Sequence, residues 1–233
     1  MQKNMKTGFL LIDKPAGITS HDVIDELRRI TGVKKIGHAG TLDPFATGLL
    51  LIAVGREATR EIGKFVGMDK AYGAEFVLGA TTETLDTESE VVKSDQVVKL
   101  LSDQVREAMK ELTGTIEQIP PMYAAIKKGG KKLYQLARKG EEIELEPRTV
   151  TVHQFDLVGE PRQEDGLTIV QVLIKCSSGT YIRALARDLA QRLGTTGYVR
   201  ALRRVAIGPY QIAQAIKLKE LDENNWQTHL KQI

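Results

Sequence analysis

Apolar positions along the chain fall into short blocks with two different periods. Phe9–Asp13 is an apolar run closed by an acid and reads as a short strand ending at Pro15 and Gly17. Ser20 stands where an N-cap belongs, opening a helix through Ile30 with Val23, Leu27 and Ile30 on one face and Gly32 as its stop. Neither period holds from Gly37 to Gly48, where Gly, Thr and an Asp-Pro pair mark a loop. Leu49–Val54 is continuously apolar, as a buried strand is, and Glu57–Val66 is helical in pattern. Tyr72, Ala74, Phe76 and Leu78 alternate with their neighbours in the strand period of two. Further on, the pattern predicts helices over Asp103–Leu112, Lys131–Lys139, Tyr181–Leu193 and Asn225–Gln232, and β-branched strands over Thr149–Leu157 and Leu167–Cys176. Strands and helices are interspersed without regular alternation, and several strands lie close enough in sequence to pair antiparallel. The expectation is an α+β fold: a mixed, largely antiparallel central sheet with surrounding helices.

Composition narrows this picture only a little. The chain has 233 residues, 42% hydrophobic and 27% charged, enough for a real core. No apolar run approaches the roughly 18–20 residues of a membrane span. Phe9–Ile12 is too short for the apolar part of a signal peptide. The one cysteine, Cys176, permits no internal disulfide, which fits a reducing cytoplasm. Net charge is a modest +3. Acids crowd Glu83–Asp95 and Glu141–Glu146, whereas bases cluster at Lys34/Lys35, Lys127/Lys128/Lys131/Lys132, Arg138/Lys139 and Arg200/Arg203/Arg204. Such segregation gives a basic face suited to phosphates, although charge alone favours ordinary solvated surface.

The densest stretch for chemistry is Gly37-His38-Ala39-Gly40-Thr41-Leu42-Asp43-Pro44-Phe45-Ala46-Thr47-Gly48. Its glycines let the backbone approach a ligand closely, and Pro44 restricts Asp43 to extended geometry. Such a loop suits one rigidly held carboxylate, but Asp-Pro is also an ordinary turn dipeptide. Other chemistries fall away. There is no phosphate loop and no dinucleotide-binding glycine turn. One Cys and the widely spaced His21, His38, His153 and His229 make no zinc site, and no Gly-x-Ser-x-Gly elbow occurs. Cofactor-independent carboxylate chemistry is among the few readings left. Taken singly, Tyr72 reads as strand packing, Leu202 as core, His38 as a loop hydrogen-bonding residue, Cys176 as a small buried hydrophobe, and Thr82, Thr84 and Asp86 as a capped turn. Arg183 falls in a helix's first turn, where a cation is mildly unfavourable, which hints at a specific partner.

Together these segments resemble the TruB-type pseudouridine synthases. Gly37–Gly48 looks like that family's signature, and Leu11-Ile12-Asp13-Lys14-Pro15-x-Gly17-x-Thr19-Ser20 like its opening motif. Lys70-Ala71-Tyr72 followed by Gly79-x-x-Thr82-x-Thr84-x-Asp86 is similar to its second motif. Pro120-Pro121-x-Tyr123-x-Ala125-x-Lys127, Gly130–Tyr134 and Ala137-Arg138-x-Gly140 resemble its third. Cys176-Ser-Ser-Gly179-Thr180-Tyr181-Ile182-Arg183 and Leu202-Arg203-Arg204 complete the set, in family order over about residues 8–210.

The resemblance implies isomerisation of uridine to pseudouridine in the T-loop of tRNA, at position 55, by base flipping and covalent attack of Asp43. It implies that Tyr72 stacks on the flipped base, that Arg183 pairs with the aspartate, that Leu202 makes an apolar contact to the base, and that His38 takes part in reshaping the T-loop. Thr41 and Tyr181, within matched motifs, join as substrate contacts, and Lys14, with Lys127 and Arg138, as a source of phosphate contacts. The chemistry calls for no cofactor and no metal, and the partner expected is the T-arm of tRNA, met by a cytoplasmic monomer with no membrane association. Two rivals stand beside this reading: a synthase acting on another RNA uridine, and an RNA-binding helper of tRNA folding. Residues 1–210 are expected to form the catalytic domain and 211–233 a short tail, without the PUA-like C-terminal domain of many bacterial relatives. Glu83 and Ala124 depart from the family pattern, where Asp and Ser are expected.

Overall fold

A computed structural model describes residues 7–94, 100–123, 127–128, 131–132 and 145–232, with backbone alone at 127–128 and 131–132. In chain order the elements are β1 (Gly8–Lys14), α1 (Ser20–Thr31), β2 (Ile36–His38), β3 (Thr47–Val54), α2 (Arg56–Arg60), α3 (Gly63–Val66), β4 (Lys70–Leu78), β5 (Ala80–Thr82) and β6 (Val91–Lys93). There follow α4 (Ser102–Glu111), β7 (Gly114–Gln118), β8 (Lys127–Lys128), β9 (Lys131–Lys132), β10 (Arg148–Glu164), β11 (Leu167–Cys176), α5 (Ile182–Arg192), β12 (Gly197–Ile207), β13 (Tyr210–Gln211) and β14 (Ile216–Lys217). Three short 3₁₀ turns, the last at Trp226–His229, complete the set among the described residues. Contacts divide the chain into two compact units, Met1–Tyr72 with Leu202–Ile233, and Gly73–Ala201.

In the first unit the strand order is β14-β1-β3-β12, with β2 on β3 and β13 on β12. β1 pairs antiparallel with β3, whereas β14 joins β1 and β12 joins β3 in parallel. β1 from Phe9 to Ile12 and β3 from Leu49 to Val54 are continuously apolar because both their faces are covered. Leu10, Ile12, Leu50, Ile52 and Val54 meet Val23, Ile24, Leu27 and Ile30 of α1, together with Leu221 and Trp226. Phe9, Leu11, Leu49, Leu51 and Ala53 meet Ala58, Phe65 and Ile207. The segment after Pro209 thus contributes to this core, with Trp226 4% exposed. α1 begins one residue earlier than its apolar pattern suggests: Thr19 is the N-cap, in a reciprocal capping box with Asp22, which frees the Ser20 hydroxyl for another task. The helical pattern of Glu57–Val66 resolves into two short helices, α2 and α3, broken at Glu61 and Ile62.

In the second unit the order runs β12-β4-β11-β10-β7. β10 pairs antiparallel with both β11 and β7, and irregularities between Val152 and Gln154 and between Val158 and Arg162 bend it. Arg200 links three strands here, bonding Glu75 on β4 and Glu164 on β10 (2.6 Å); its guanidinium holds the Glu75 carboxyl below the usual carboxylate range. The α+β expectation is borne out. Besides the cap of α1 and the split of Glu57–Val66, further expectations need correction. β7 and β12 were not foreseen, β12 because arginines interrupt its apolar pattern. The helix expected over Lys131–Lys139 opens instead on strand residues Lys131–Lys132, which pair with Lys127–Lys128, and its remainder lies outside the described residues. The helix expected over Asn225–Gln232 is a 3₁₀ turn over Trp226–His229.

Candidate active site

The loop between β2 and β3 is held residue by residue, within the first unit, by side chains distant in sequence. The Ser20 hydroxyl accepts a hydrogen bond from the Leu42 amide (2.9 Å) and donates to the Leu42 carbonyl (3.1 Å), in a buried setting. The Pro44 carbonyl accepts from the Gly17 amide (2.9 Å) and from the Lys14 ammonium (3.2 Å). Asp43 lies between these two anchored residues, and its own carbonyl accepts from the Ala46 amide (3.1 Å). Arg204, buried, donates to the carbonyls of Gly40 (3.1 Å), Thr41 (3.4 Å) and Leu49 (2.7 Å). The backbone on either side of Asp43 is therefore fixed, while the residue itself stays half-buried.

Gly48 shows why this loop needs glycine at its end. Its φ is +104°, and β12 passes so close that an added Cβ would come 2.3 Å from the Arg204 carbonyl oxygen. Next to the loop, His38 ends β2 with its buried Nδ1 lacking a hydrogen-bond partner among the described residues. Burial, with smaller contributions from the Arg204 and His21 charges, holds its pKa below the ordinary 6.5.

In the second unit Arg183 opens α5, 5% exposed, and forms an ion pair with Asp86 at 3.2 Å. It also donates to the carbonyls of Thr84 (2.7 Å) and Tyr123 (2.9 Å). Asp86 in turn accepts from the Thr84 hydroxyl (2.5 Å) and the Glu88 amide (2.9 Å). The turn Thr82–Asp86 is thus capped and is also the anionic partner of a buried cation. Tyr181, the N-cap of α5, offers no side-chain cap, and Gln118 substitutes, accepting from the Tyr181 amide (2.8 Å) and donating to its carbonyl (3.2 Å).

Comparison with known proteins gives these features a common origin. Residues 28–182 match the model described as TruB family pseudouridylate synthase (N terminal domain), and residues 183–233 that of the tRNA pseudouridylate synthase B C-terminal domain. The chain belongs to the TruB family. It is 46% identical over 220 residues to the tRNA pseudouridine synthase B of Arthrobacter sp. (strain FB24), covering 94% of this chain and 72% of that one. It is 46% identical over 216 residues to the protein of the same name from Mycobacterium tuberculosis (strain ATCC 25618 / H37Rv), covering 93% and 72%. Its fold is similar to that of a chain in the crystal structure of a Cbf5-Nop10-Gar1 complex, with TM-score 0.69 and 27% identity, covering 92% of this chain and 53% of that one. A chain of the archaeal box H/ACA sRNP Nop10-Cbf5 complex gives TM-score 0.67 and 26% identity, covering 94% and 55%. The chain thus spans about half the length of those two structural neighbours.

Seen as a TruB-family chain, the residues singled out from sequence divide between the two units. Asp43, Thr41, His38, Lys14, Tyr72 and Leu202 belong to the first, Tyr181 and Arg183 to the second. Thr41 is exposed, and Tyr72 is buried on β4. Leu202, buried on β12, accepts from the Thr47 hydroxyl through its carbonyl (3.4 Å). Lys14, expected from the sequence as a source of phosphate contacts, is turned inward here. Its ammonium is buried and donates to the carbonyls of Pro15 (2.9 Å), Ile18 (2.7 Å) and Pro44 (3.2 Å), so its three protons already have acceptors. Nor do Arg200, Arg203 and Arg204 form a free basic patch: Arg200 bonds Glu75 and Glu164, Arg203 bonds both carboxylate oxygens of Asp13 (3.0 and 2.7 Å), and Arg204 is internal. The side chain of Lys127 and all of Arg138 lie outside the described residues. Sequence reasoning missed Ser20, Arg204 and Gln118 as supports. Ser20 had a signal in the Thr-Ser pair, where one hydroxyl suffices as a cap. Among the described residues no group of three or more His, Cys, Asp or Glu could hold a metal ion, and no helix is long and apolar enough to cross a membrane.

Proposed function

We propose that this chain isomerises uridine to pseudouridine in the T-loop of tRNA, with Asp43 as the covalent catalyst. The observation that carries the assignment of Asp43 is its setting: a half-buried carboxylate between two residues whose backbone is pinned by Ser20, Gly17 and Lys14. Isomerisation breaks the bond from ribose C1′ to uracil N1 and makes one from C1′ to C5. N1 gains a proton and C5 loses one, so the reaction is neutral in electrons and needs no group donor. What it needs is a nucleophile that stays in place while the detached uracil turns, and a backbone that does not relax provides one.

Tyr72 supplies an aromatic face to the flipped base, which recovers part of the few kcal/mol of unstacking. Leu202 supplies an apolar contact, and Thr41, Tyr181 and His38 approach the RNA. Arg183 is the cation that the family resemblance assigns to this reading, since a nearby positive charge favours an ionised carboxylate. Within its own unit the guanidinium is held by Asp86 at 3.2 Å. The reading places the protein in the cytoplasm as a monomer acting on the T-arm.

The test is incubation of the purified chain with unmodified tRNA, followed by carbodiimide primer extension to map pseudouridine. The expected product lies in the T-loop and vanishes in Asp43→Asn. Product at another uridine supports a different RNA target, binding without product supports a folding helper, and turnover by Asp43→Asn overturns the mechanism.

A further inference from the structure

Arg204 is among the largest fully buried side chains of the protein, at 1% exposure. Among the described residues no carboxylate lies within ion-pairing distance of it. A buried guanidinium without a counter-charge is costly, and an apolar side chain of similar size fills such a space at lower cost. Here the charge is met only by backbone carbonyls, and all three belong to one stretch of chain: Gly40 and Thr41 ahead of Asp43, and Leu49 behind it.

The backbone of Arg204 is fixed as well, since β12 pairs with β3 at Arg204 and Gly48. That register requires the glycine whose Cβ would strike the Arg204 carbonyl. The planar guanidinium presents donors in several directions, so it reaches both limbs of the loop at once. A lysine ammonium, a point charge on a flexible stem, does not span them.

We propose that Arg204 is a positioning residue for Asp43: it ties together the two limbs of the loop and so fixes where the carboxylate stands in the reaction. The proposal rests on the reading of Asp43 as the catalyst. Arg204 touches neither substrate nor reacting atoms, and it acts on the rate of the chemical step rather than on RNA binding.

The test uses the full chain as Arg204→Lys and Arg204→Met, with a T-arm stem–loop RNA tritiated at uridine C5, whose label is released when C5 is glycosylated. Single-turnover rate at saturating RNA, Kd by filter binding and a thermal melt are measured for each variant. The expected result is a rate about a hundredfold lower in Arg204→Met, the scale of a misplacement of about 1 Å. Arg204→Lys recovers part of the loss, and Kd stays within about threefold of the native value for both. A folded variant with native rate overturns the proposal, as does a rate loss that only tracks the unfolded fraction. If neither variant folds, hydrogen exchange of the Arg204 guanidinium in the native protein decides. Its Nε and Nη protons, bonded to Leu49, Thr41 and Gly40, should exchange slowly, and exchange at solvent-exposed rates overturns the proposal. A native protein that makes no pseudouridine overturns the functional reading instead, while the exchange experiment still tests the clamp.

Discussion

Ser20→Ala removes one oxygen and leaves two buried backbone groups of Leu42 without their partner. Ser20 is 2% exposed, so water does not replace the hydroxyl without local opening. Each stranded group costs about 1–3 kcal/mol. The substitution also places the best helix former in the first turn of α1, which returns at most about 0.5 kcal/mol. The net expectation is a loss of about 1.5–5.5 kcal/mol, a large fraction of a typical domain's stability. The protein carries its own reporter, because its one tryptophan, Trp226, is buried against α1 in the same core. Urea unfolding followed by Trp226 fluorescence should show the midpoint falling by about 1 M, given slopes of about 2–3 kcal/mol per molar. Product formation should fall with it, since Leu42 adjoins Asp43. A Ser20→Ala midpoint matching that of the native protein, at equal slope, refutes the reasoning: the Leu42 groups would then be satisfied some other way.

Other expectations follow from the same geometry. Asp86→Ala removes the carboxylate paired at 3.2 Å with buried Arg183 and should lower the Tm in a thermal melt followed by circular dichroism, with Asp86→Asn costing less. Gly48→Ala combines a positive φ with a backbone collision and should lose at least about 3 kcal/mol, read as poor soluble yield and a lowered Tm. His38 has a folded-state pKa below 6.5, so as pH falls through 6.5 the unfolded chain takes up the proton first. The stability tied to neutral His38 is present above pH 6.5 and is lost below it, and His38→Gln should flatten the stability slope there.

The parts of this fold that were legible in the sequence are those where burial is apolar. β1, β3 and α1 announce themselves because Leu10, Ile12, Val23, Leu27, Leu50 and Ile52 each need apolar cover and nothing else. β12 was invisible because one of its inward positions holds Arg204 between Leu202 and Ala206, an arginine where the pattern asks for a hydrophobe. The candidate catalyst was legible through the company it keeps in several motifs, but its supports were not. Lys14 reads as a surface base until the structure shows its ammonium turned onto carbonyls. Ser20 reads as a cap until Thr19 is seen to do that work. Arg183 hinted at a partner, and Asp86 was present in the second motif, but no periodicity relates a helix's first turn to a loop far upstream.

The clamp on the Asp43 loop also has a direction in time. A ribosome makes Gly40–Leu49 early and Arg204 much later, so the emerging chain carries its candidate nucleophile well before it carries the guanidinium that anchors it. Lys14, Gly17 and Ser20 precede the loop and can engage it at once; Arg204 cannot. Catalytic competence is therefore among the last properties the nascent protein acquires, and a chain released before residue 204 holds the aspartate in a loop pinned at Leu42 and Pro44 but not at Gly40, Thr41 and Leu49.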